Sequence, residues 1–160
     1  MSSPEKADPT MYRKMRDHML RFKQPGFEPG AVQKVLMDWH VGNGTATILA
    51  AADGSASVYL SSGGGYLGGG QGHPEVREAA FRAIRLAERL MTQFIKTESF
   101  ELPAHGSVSF FVTTNESIYT VVESQAELRY GESPFAALGN AMQAIATGYR
   151  LRQQEASAKI

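Results

Sequence analysis

The sequence predicts an α+β fold, with a single antiparallel sheet built from two β-hairpins and with helices packed on it. The first hairpin is indicated by Asp53-Gly54, a dipeptide typical of a tight type I′ turn, between two strand-like runs over 45–52 and 55–61. The second is indicated by 107–113 and 117–123, where apolar and polar residues alternate on either side of a polar break. Strands and helices do not alternate regularly, which argues against a doubly wound parallel sheet.

Helical spacing of apolar residues predicts two helices before the first hairpin. One covers about 10–23, with Thr10 as its N-cap, and another shorter one covers about 31–39. The apolar residues that define the first helix are Met11, Met15, Met19 and Phe22, with Tyr12 and Leu20 beside them. The second is defined by Val32, Val35, Leu36 and Trp39.

One further helix follows each of the two hairpins. The longest is predicted over 74–97, because Pro74 suits a first helical position and the apolar face then continues to Ile95. The last is predicted from Ser133-Pro134 to Arg152, with Gly139 and Gly148 as marks of close helix packing. Residues 127–130 are interpreted as a short fifth strand or an extension of the second hairpin.

The 160 residues predict a single α+β domain over 10–152, with flexible termini at 1–9 and 153–160. Cysteine is absent, which excludes disulfides and thiolate metal sites. Basic and acidic residues are equal in number, so net charge does not argue for nucleic acid. Neither a signal peptide nor an apolar run of membrane-spanning length is evident, and a cytoplasmic location is expected.

Charge is nevertheless uneven along the chain. Residues 11–23 hold five basic residues against one acidic residue, whereas 96–132 hold six acidic residues against two basic ones. Two solvated faces are the favoured interpretation. The alternative is that one segment docks on the other, within the chain or across a dimer. The basic, Met-rich helix itself is expected to cover this domain's core or a dimer mate rather than to contact a membrane surface.

The glycine-rich stretch 63–72 is the one segment that looks like a ligand site. It contains G-x-G-x-x-G, but the following helix begins too late and the preceding strand belongs to a hairpin, so a dinucleotide site is not predicted. Backbone amides and the next helix N-terminus could still hold an anion or a small ligand. A flexible connection is the favoured alternative. The candidate contacts are Gly63, Gly64, Gly65, Tyr66, Gly68 and His73.

No catalytic, metal or cofactor site is predicted from local motifs. No two of the four histidines stand at i, i+4, and no Gly-x-Ser-x-Gly elbow occurs. The histidines are His18, His40, His73 and His105. An active site assembled only in three dimensions stays open at this point.

The order of elements resembles that of the roadblock domains, and more loosely the longin and profilin-like sandwiches. The local similarity is the strand pair joined at Ala52-Asp53-Gly54-Ser55 and the long helix that follows Ser61-Ser62-Gly63, within about residues 30–152. Roadblock domains are non-catalytic homodimers or heterodimers that regulate small GTPases or scaffold larger complexes. The resemblance therefore implies a non-enzymatic, dimerising regulatory or scaffold domain that binds another protein, such as a small GTPase. The alternative function is a small-ligand or anion-binding domain that uses 63–72.

Overall fold

The structure is a computed structural model that describes residues 9–23, 26–63, 65–69 and 73–158. It contains four helices and seven strands within those ranges. The helices are α1 (Pro9–Arg21), α2 (Pro74–Leu90), α3 (Gln125–Arg129) and α4 (Ala136–Ala158). The strands are β1 (Lys34–Val41), β2 (Gly44–Ala51), β3 (Ala56–Leu60), β4 (Gly65–Gly69), β5 (Ile95–Thr97), β6 (Ser107–Thr113) and β7 (Ile118–Ser124).

The strands form one antiparallel sheet in the order β4-β3-β2-β1-β6-β7-β5. Strand β1 lies in the middle and pairs with β2 and β6, so Trp39 has Ala46 on one side and Val108 on the other. The predicted α+β class, a single antiparallel sheet with helices packed on it, is confirmed.

Side chains alternate between the two faces of the sheet, and each face has its own helical cover. The helix-pair face packs against α2 and α4 and carries Val35, Met37, Ile48, Phe110 and Val112. The α1 face packs against α1 and carries Leu36, Asp38, Thr47, Leu49 and Phe111. The domain therefore has three layers, with the sheet between α1 and the α2–α4 pair.

The helix predicted over 31–39 is wrong, because most of this segment is strand β1. Residues 32–38 are all buried, since β1 is covered on both faces. A strand buried on both faces loses the apolar–polar alternation that normally identifies strands. The remaining apolar residues of the segment then fell at helical spacing by coincidence.

The first hairpin is confirmed, but the predicted type I′ turn is wrong. The amide of Gly54 donates to the carbonyl of Ala51, and the amide of Ala51 donates to that of Ser55, which gives a three-residue loop. Only Gly54 of this loop has a positive φ, at 88°. A Cβ there would stand 2.8 Å from the Phe81 ring, so glycine serves both the turn and the packing of α2.

Three other predicted segments differ from the structure. The long helix ends at Leu90 and is followed by a 3₁₀ turn and then β5, so Ile95, which was expected on the apolar face, is 72% exposed. Residues 125–129 form the short helix α3 rather than a strand, because the Ser124 hydroxyl caps it by accepting from the amide of Glu127. Gly65–Gly69 form strand β4 rather than a loop.

The first and last predicted helices and the second hairpin are confirmed as α1, α4 and the β6–β7 pair. α4 continues to Ala158, beyond the predicted end at Arg152. α1 buries Tyr12, Arg16 and Leu20 rather than the predicted Met and Phe stripe, of which Met11 is 55% exposed. No helix among the described residues is long and apolar enough to cross a membrane.

Candidate functional site

The predicted glycine-rich loop is partly occupied by strand β4. Gly63 ends a turn with a φ of 104°, and its amide donates to the carbonyl of Leu60. Gly65 begins β4 and pairs with β3 so closely that a Cβ would lie 2.0 Å from the Val58 carbonyl oxygen. Gly68 lies in the same strand, whereas Gly64 and 70–72 fall outside the described residues. Pairing with β3 takes up some of the backbone groups that the sequence assigned to an anion.

The two predicted side-chain contacts of this site have different outcomes. Tyr66 stands opposite Val58 in the β3–β4 pair, but its side chain lies outside the described part. His73 precedes α2, and its ring meets Tyr149 edge-on at 5.2 Å. Its Nδ1 is buried and has no hydrogen-bond partner among the described residues. A ligand at 63–72 therefore stays a prediction.

Four buried polar side chains, those of Tyr12, Arg16, Asp38 and Thr47, form an anchor cluster between α1 and the sheet. The Arg16 guanidinium donates to both Asp38 oxygens, with Nη2–Oδ2 at 2.8 Å and Nε–Oδ2 at 3.0 Å. The Thr47 hydroxyl donates to Oδ1 of the same carboxylate and also contacts the Tyr12 hydroxyl. Arg16 further donates to the Phe100 carbonyl. Every member thus holds α1 in place.

Burial dominates the electrostatics of this cluster. Asp38 is fully buried, and the loss of water around it raises the pKa of its carboxyl even though Arg16 and Thr47 oppose the shift. Burial likewise raises the pKa of Tyr12 to about 12. Both oxygens of Asp38 already accept hydrogen bonds, so the cluster has no open position for a reacting atom. We interpret it as a structural anchor rather than a catalytic pair.

Lys34 completes the attachment of α1. Its ammonium donates to the carbonyls of Met19 and Phe22, at the C-terminal end of α1, where carbonyls lack partners within the helix. Lys34 is 4% exposed, and burial lowers the pKa of its amino group to about 8. Sequence reasoning missed this role because Lys34 was placed in a predicted helix, where its side chain would have pointed elsewhere.

A concave surface, the α3–α4 groove, lies on the helix-pair face and has a cavity volume of about 280 Å³. Strands β1 and β6 supply the floor, and α3 and α4 supply the walls. The floor residues are Met37, Trp39 and Val108. The wall residues are Gln125, Leu128 and Arg129 of α3 and Ala136, Gly139, Asn140 and Gln143 of α4.

The groove combines an apolar floor with a polar rim. Met37 and Val108 are buried, whereas Trp39 is partly exposed. The rim offers three side-chain amides and one charged group, the guanidinium of Arg129. An apolar concave surface with a few convergent polar groups is the usual composition of a binding site. The arrangement can take up an apolar group and hydrogen-bond its polar neighbours.

Sequence reasoning did not find this groove. Trp39 and Val108 are far apart in the chain and meet only because β1 and β6 are paired. Gln125, Leu128 and Arg129 share a wall only because the segment is helical, which places residues at i, i+3 and i+4 on one side. The strand predicted over 127–130 would have put Leu128 and Arg129 on opposite faces of the sheet.

Two of the four histidines, His40 and His105, lie against each other. His40 donates from Nε2 to the Pro103 carbonyl at 2.6 Å if that nitrogen carries the proton, and its ring stacks on His105 at 3.9 Å. No group of three or more potential metal ligands occurs in the described ranges. Stacked rings present their faces to each other, so their nitrogens do not converge on one point.

The structure agrees in part with each of the two interpretations of the uneven charge. Of the five basic residues over 11–23, only Arg16 is buried, and the other four are exposed, as the interpretation of a solvated face predicts. α1 nevertheless lies against the start of the acidic segment within the same chain. Arg16 reaches the Phe100 carbonyl, and the Arg21 guanidinium lies 4.8 Å from the centre of the Phe100 ring. The contact is made through carbonyls and an aromatic ring.

Comparisons with protein families, curated proteins and solved structures found no match to this chain. The resemblance to roadblock domains therefore stays a prediction that depends on the order of elements. The function has to be argued from the groove and from the chemistry of the surfaces around it.

Proposed function

We propose that this protein is a non-enzymatic regulatory or scaffold domain that binds another protein through the α3–α4 groove. The observation that carries this proposal is the lining of the groove. Acid–base catalysis requires groups that can exchange protons near neutral pH. The only charged residue of the lining is Arg129, and an arginine keeps its proton under all such conditions. The groove is therefore suited to binding and not to proton transfer.

Apolar surface beside the groove favours a protein as the partner. Trp39 pairs with Ala46, and Ala46 pairs with Leu60, so these residues form one row across the helix-pair face. Leu60 is 37% exposed, and Val41, on the same face two residues after Trp39, is 51% exposed. A concave aromatic centre with a polar rim is typical of protein interfaces. A protein segment could cover both the groove and this row.

Two parts of the proposal, dimerisation and a small GTPase as the partner, depend on the roadblock resemblance. A cytoplasmic location is proposed from the sequence alone. Light scattering at micromolar concentration tests dimerisation. A dimer is expected, and a strict monomer would count against the resemblance but not against the groove.

The second candidate function is an anion or small-ligand site near α2, favoured by the buried Nδ1 of His73, which has no hydrogen-bond partner among the residues that the structure describes. A ligand that prefers the native state must raise its stability. Thermal unfolding with phosphate, nucleotides and small carboxylates is the appropriate screen. If none of these compounds raises the melting temperature, this candidate should be abandoned.

The groove proposal is tested with a matched pair of substitutions at the start of α4. Ala136 lines the groove, whereas its neighbour Ala137 is exposed outside it. Peptides are selected from a random 12-residue display library on the immobilised protein, and their binding is followed by the fluorescence of Trp39, the only tryptophan. We expect Ala136→Leu to weaken binding by about tenfold or more, since an anchor side chain is displaced, and Ala137→Leu to leave it unchanged.

Circular dichroism and thermal unfolding establish that both variants fold. Two results would reject the groove as the binding site. One is a selection in which no peptide changes Trp39 fluorescence. The other is a set of peptides that both leucine variants weaken equally.

A further inference from the structure

We infer that the α3–α4 groove recognises a peptide segment in which an apolar side chain is followed closely by a carboxylate, with Arg129 as the contact for the carboxylate. This inference rests on the proposed function and names the chemistry of the partner. Three features of the groove support it, namely its charge, its small volume and its side-chain amide groups.

The charged side chain in the groove lining is that of Arg129, which is positive. Arg129 is exposed, lines the groove and makes no salt bridge within the described part of the chain. Glu127 lies two positions earlier on α3 and does not line the groove, since residues at i, i+2 point in different directions. A guanidinium matches a carboxylate with two parallel hydrogen bonds, so an acidic group is the natural partner.

The N-terminus of α4 adds to this positive potential. Ala136, the first residue of α4, lines the groove, and no acidic residue stands in the first turn of that helix. The amides of a first turn carry partial positive charge, which an acidic side chain usually balances. The Ser133 hydroxyl accepts a hydrogen bond from the Phe135 amide at this end, and the Glu123 carboxylate hydrogen-bonds Ser133, so only part of the positive charge at Ala136 is available to a ligand.

The volume of the groove is small for a ligand-binding pocket. Its volume of about 280 Å³ lies just below the range of about 300–1,000 Å³ that is typical of pockets for drug-sized ligands. Met37 and Val108 close the bottom, and Trp39 offers an aromatic surface beside them. A single apolar side chain therefore fits the apolar part better than a nucleotide would.

The rim matches a peptide backbone. Gln125, Asn140 and Gln143 each present an amide that can donate and accept hydrogen bonds. A peptide alternates donors and acceptors along its backbone, whereas a simple apolar acid such as octanoate has none beyond its carboxylate. The three amides around the floor therefore favour a peptide segment over a small apolar acid.

The test uses the peptides selected in the previous experiment, resynthesised with each Asp replaced by Asn and each Glu by Gln. This exchange keeps the shape and removes the charge. We expect binding to the 160-residue chain, followed by Trp39 fluorescence, to weaken by about tenfold, which is the effect of one charge-assisted hydrogen-bonded pair. Arg129→Gln should weaken the acidic peptides to the same degree and leave the amide peptides unchanged.

Two variants serve as controls. Arg129→Lys retains the charge but loses the fork geometry, so it should recover only part of the affinity. Arg150→Gln removes an exposed arginine of α4 outside the groove lining and should leave every affinity unchanged.

The failure of this inference can be told apart from that of the proposed function. Two results would overturn the carboxylate contact and leave the groove in place. One is a set of peptides whose binding depends on Ala136 although they contain no acidic residue. The other is an equal loss of affinity for the acidic and the amide peptides when Arg129 is replaced by Gln. If octanoate changes Trp39 fluorescence with an affinity as high as that of the peptides, the assignment of a peptide as the ligand would be overturned. If no peptide depends on Ala136, both conclusions fail.

Discussion

The two faces of the sheet are held to their helices by different physics. On the α1 face, a fully buried ion pair between Arg16 and Asp38 and the buried ammonium of Lys34 attach a single helix. On the helix-pair face, α2 and α4 attach through apolar contacts, with Phe110, Leu138 and other residues fully buried.

The attachment of α1 therefore depends on a specific set of hydrogen-bonded charges, and burying these charges costs electrostatic free energy. Removing two charges from water costs free energy that their mutual attraction only partly offsets, so a buried pair is tolerated only with good geometry. Apolar packing has no such requirement and depends on volume and close contact. The α1 face should therefore respond to changes of charge and pH, and the helix-pair face to changes of size.

The largest expected effect is at Asp38. Asp17 and Asp38 both bind the Arg16 guanidinium, but the side chain of Asp17 is 45% exposed and that of Asp38 is not exposed. Asp38→Asn would leave the buried Arg16 with only the half-exposed Asp17 as its counter-charge and should lower the free energy of unfolding by about 3–5 kcal/mol. Asp17→Asn should change it by less than about 1 kcal/mol. Urea unfolding measures both, and equal losses would contradict the comparison.

Limited trypsin digestion tests where the loss occurs. Arg13 and Lys14 are exposed on α1. If Asp38→Asn releases α1 locally, cleavage at these residues should accelerate before the rest of the domain unfolds.

The next effect in size is the pH dependence caused by Lys34. Its pKa is about 8 in the folded state against 10.5 ordinarily, so between these values the unfolded chain binds a proton that the folded chain has released. Stability should therefore rise with pH, by about 2 kcal/mol between about pH 7.5 and pH 10. Above about pH 10 the gain should reverse, because Tyr12 has a pKa raised to about 12 and ionises first in the unfolded chain.

Lys34→Met is the matched control for this pH dependence. It keeps the apolar stem and removes the titrating group, so its stability should not rise over the same interval. A wild-type protein whose urea midpoint stays constant from about pH 7.5 to pH 10 would show that Lys34 titrates normally.

The smallest effect is expected from two glycines of α4. A Cβ at Gly148 would stand 2.8 Å from Val76 Cγ2, whereas one at Gly139 would meet Leu128 and Phe110 at an ordinary 3.8 Å. Gly148→Ala should therefore lower the stability of the protein by about 1 kcal/mol, because overpacking against Val76 outweighs the better helix propensity of alanine. Gly139→Ala should stabilise by up to about 1 kcal/mol. Thermal unfolding compares them, and equal signs would contradict the size argument.

Some elements could be predicted because their signals are local. Pro74 and the apolar periodicity after it identified the start of α2, and Asp53-Gly54 identified the first hairpin. Gly148 was correctly interpreted as a mark of close packing, but Gly139 was not, since space for a methyl group remains there. The sequence contains no signal for that difference, because it depends on which residues of α2 and α3 face each glycine.

The candidate site was less predictable than the fold. The glycine-rich stretch drew attention because its composition is unusual, yet part of it is an edge strand that pairs with β3. The α3–α4 groove has an ordinary composition and joins residues of β1, β6, α3 and α4. Nothing in any one of these segments indicates a site.

By itself, the sequence determined the fold class, most of the turns and the absence of a disulfide framework, because periodicity, turn chemistry and composition act over a few residues. Only the tertiary structure decided that 34–41 is a strand, since burial on both faces removes the alternation that would identify it. Only the tertiary structure decided that α1 buries Arg16, since its face is selected by Asp38 on the sheet. The pairing of β1 with β6, which are far apart in the chain, created the groove beside Trp39, and no local rule contains that information.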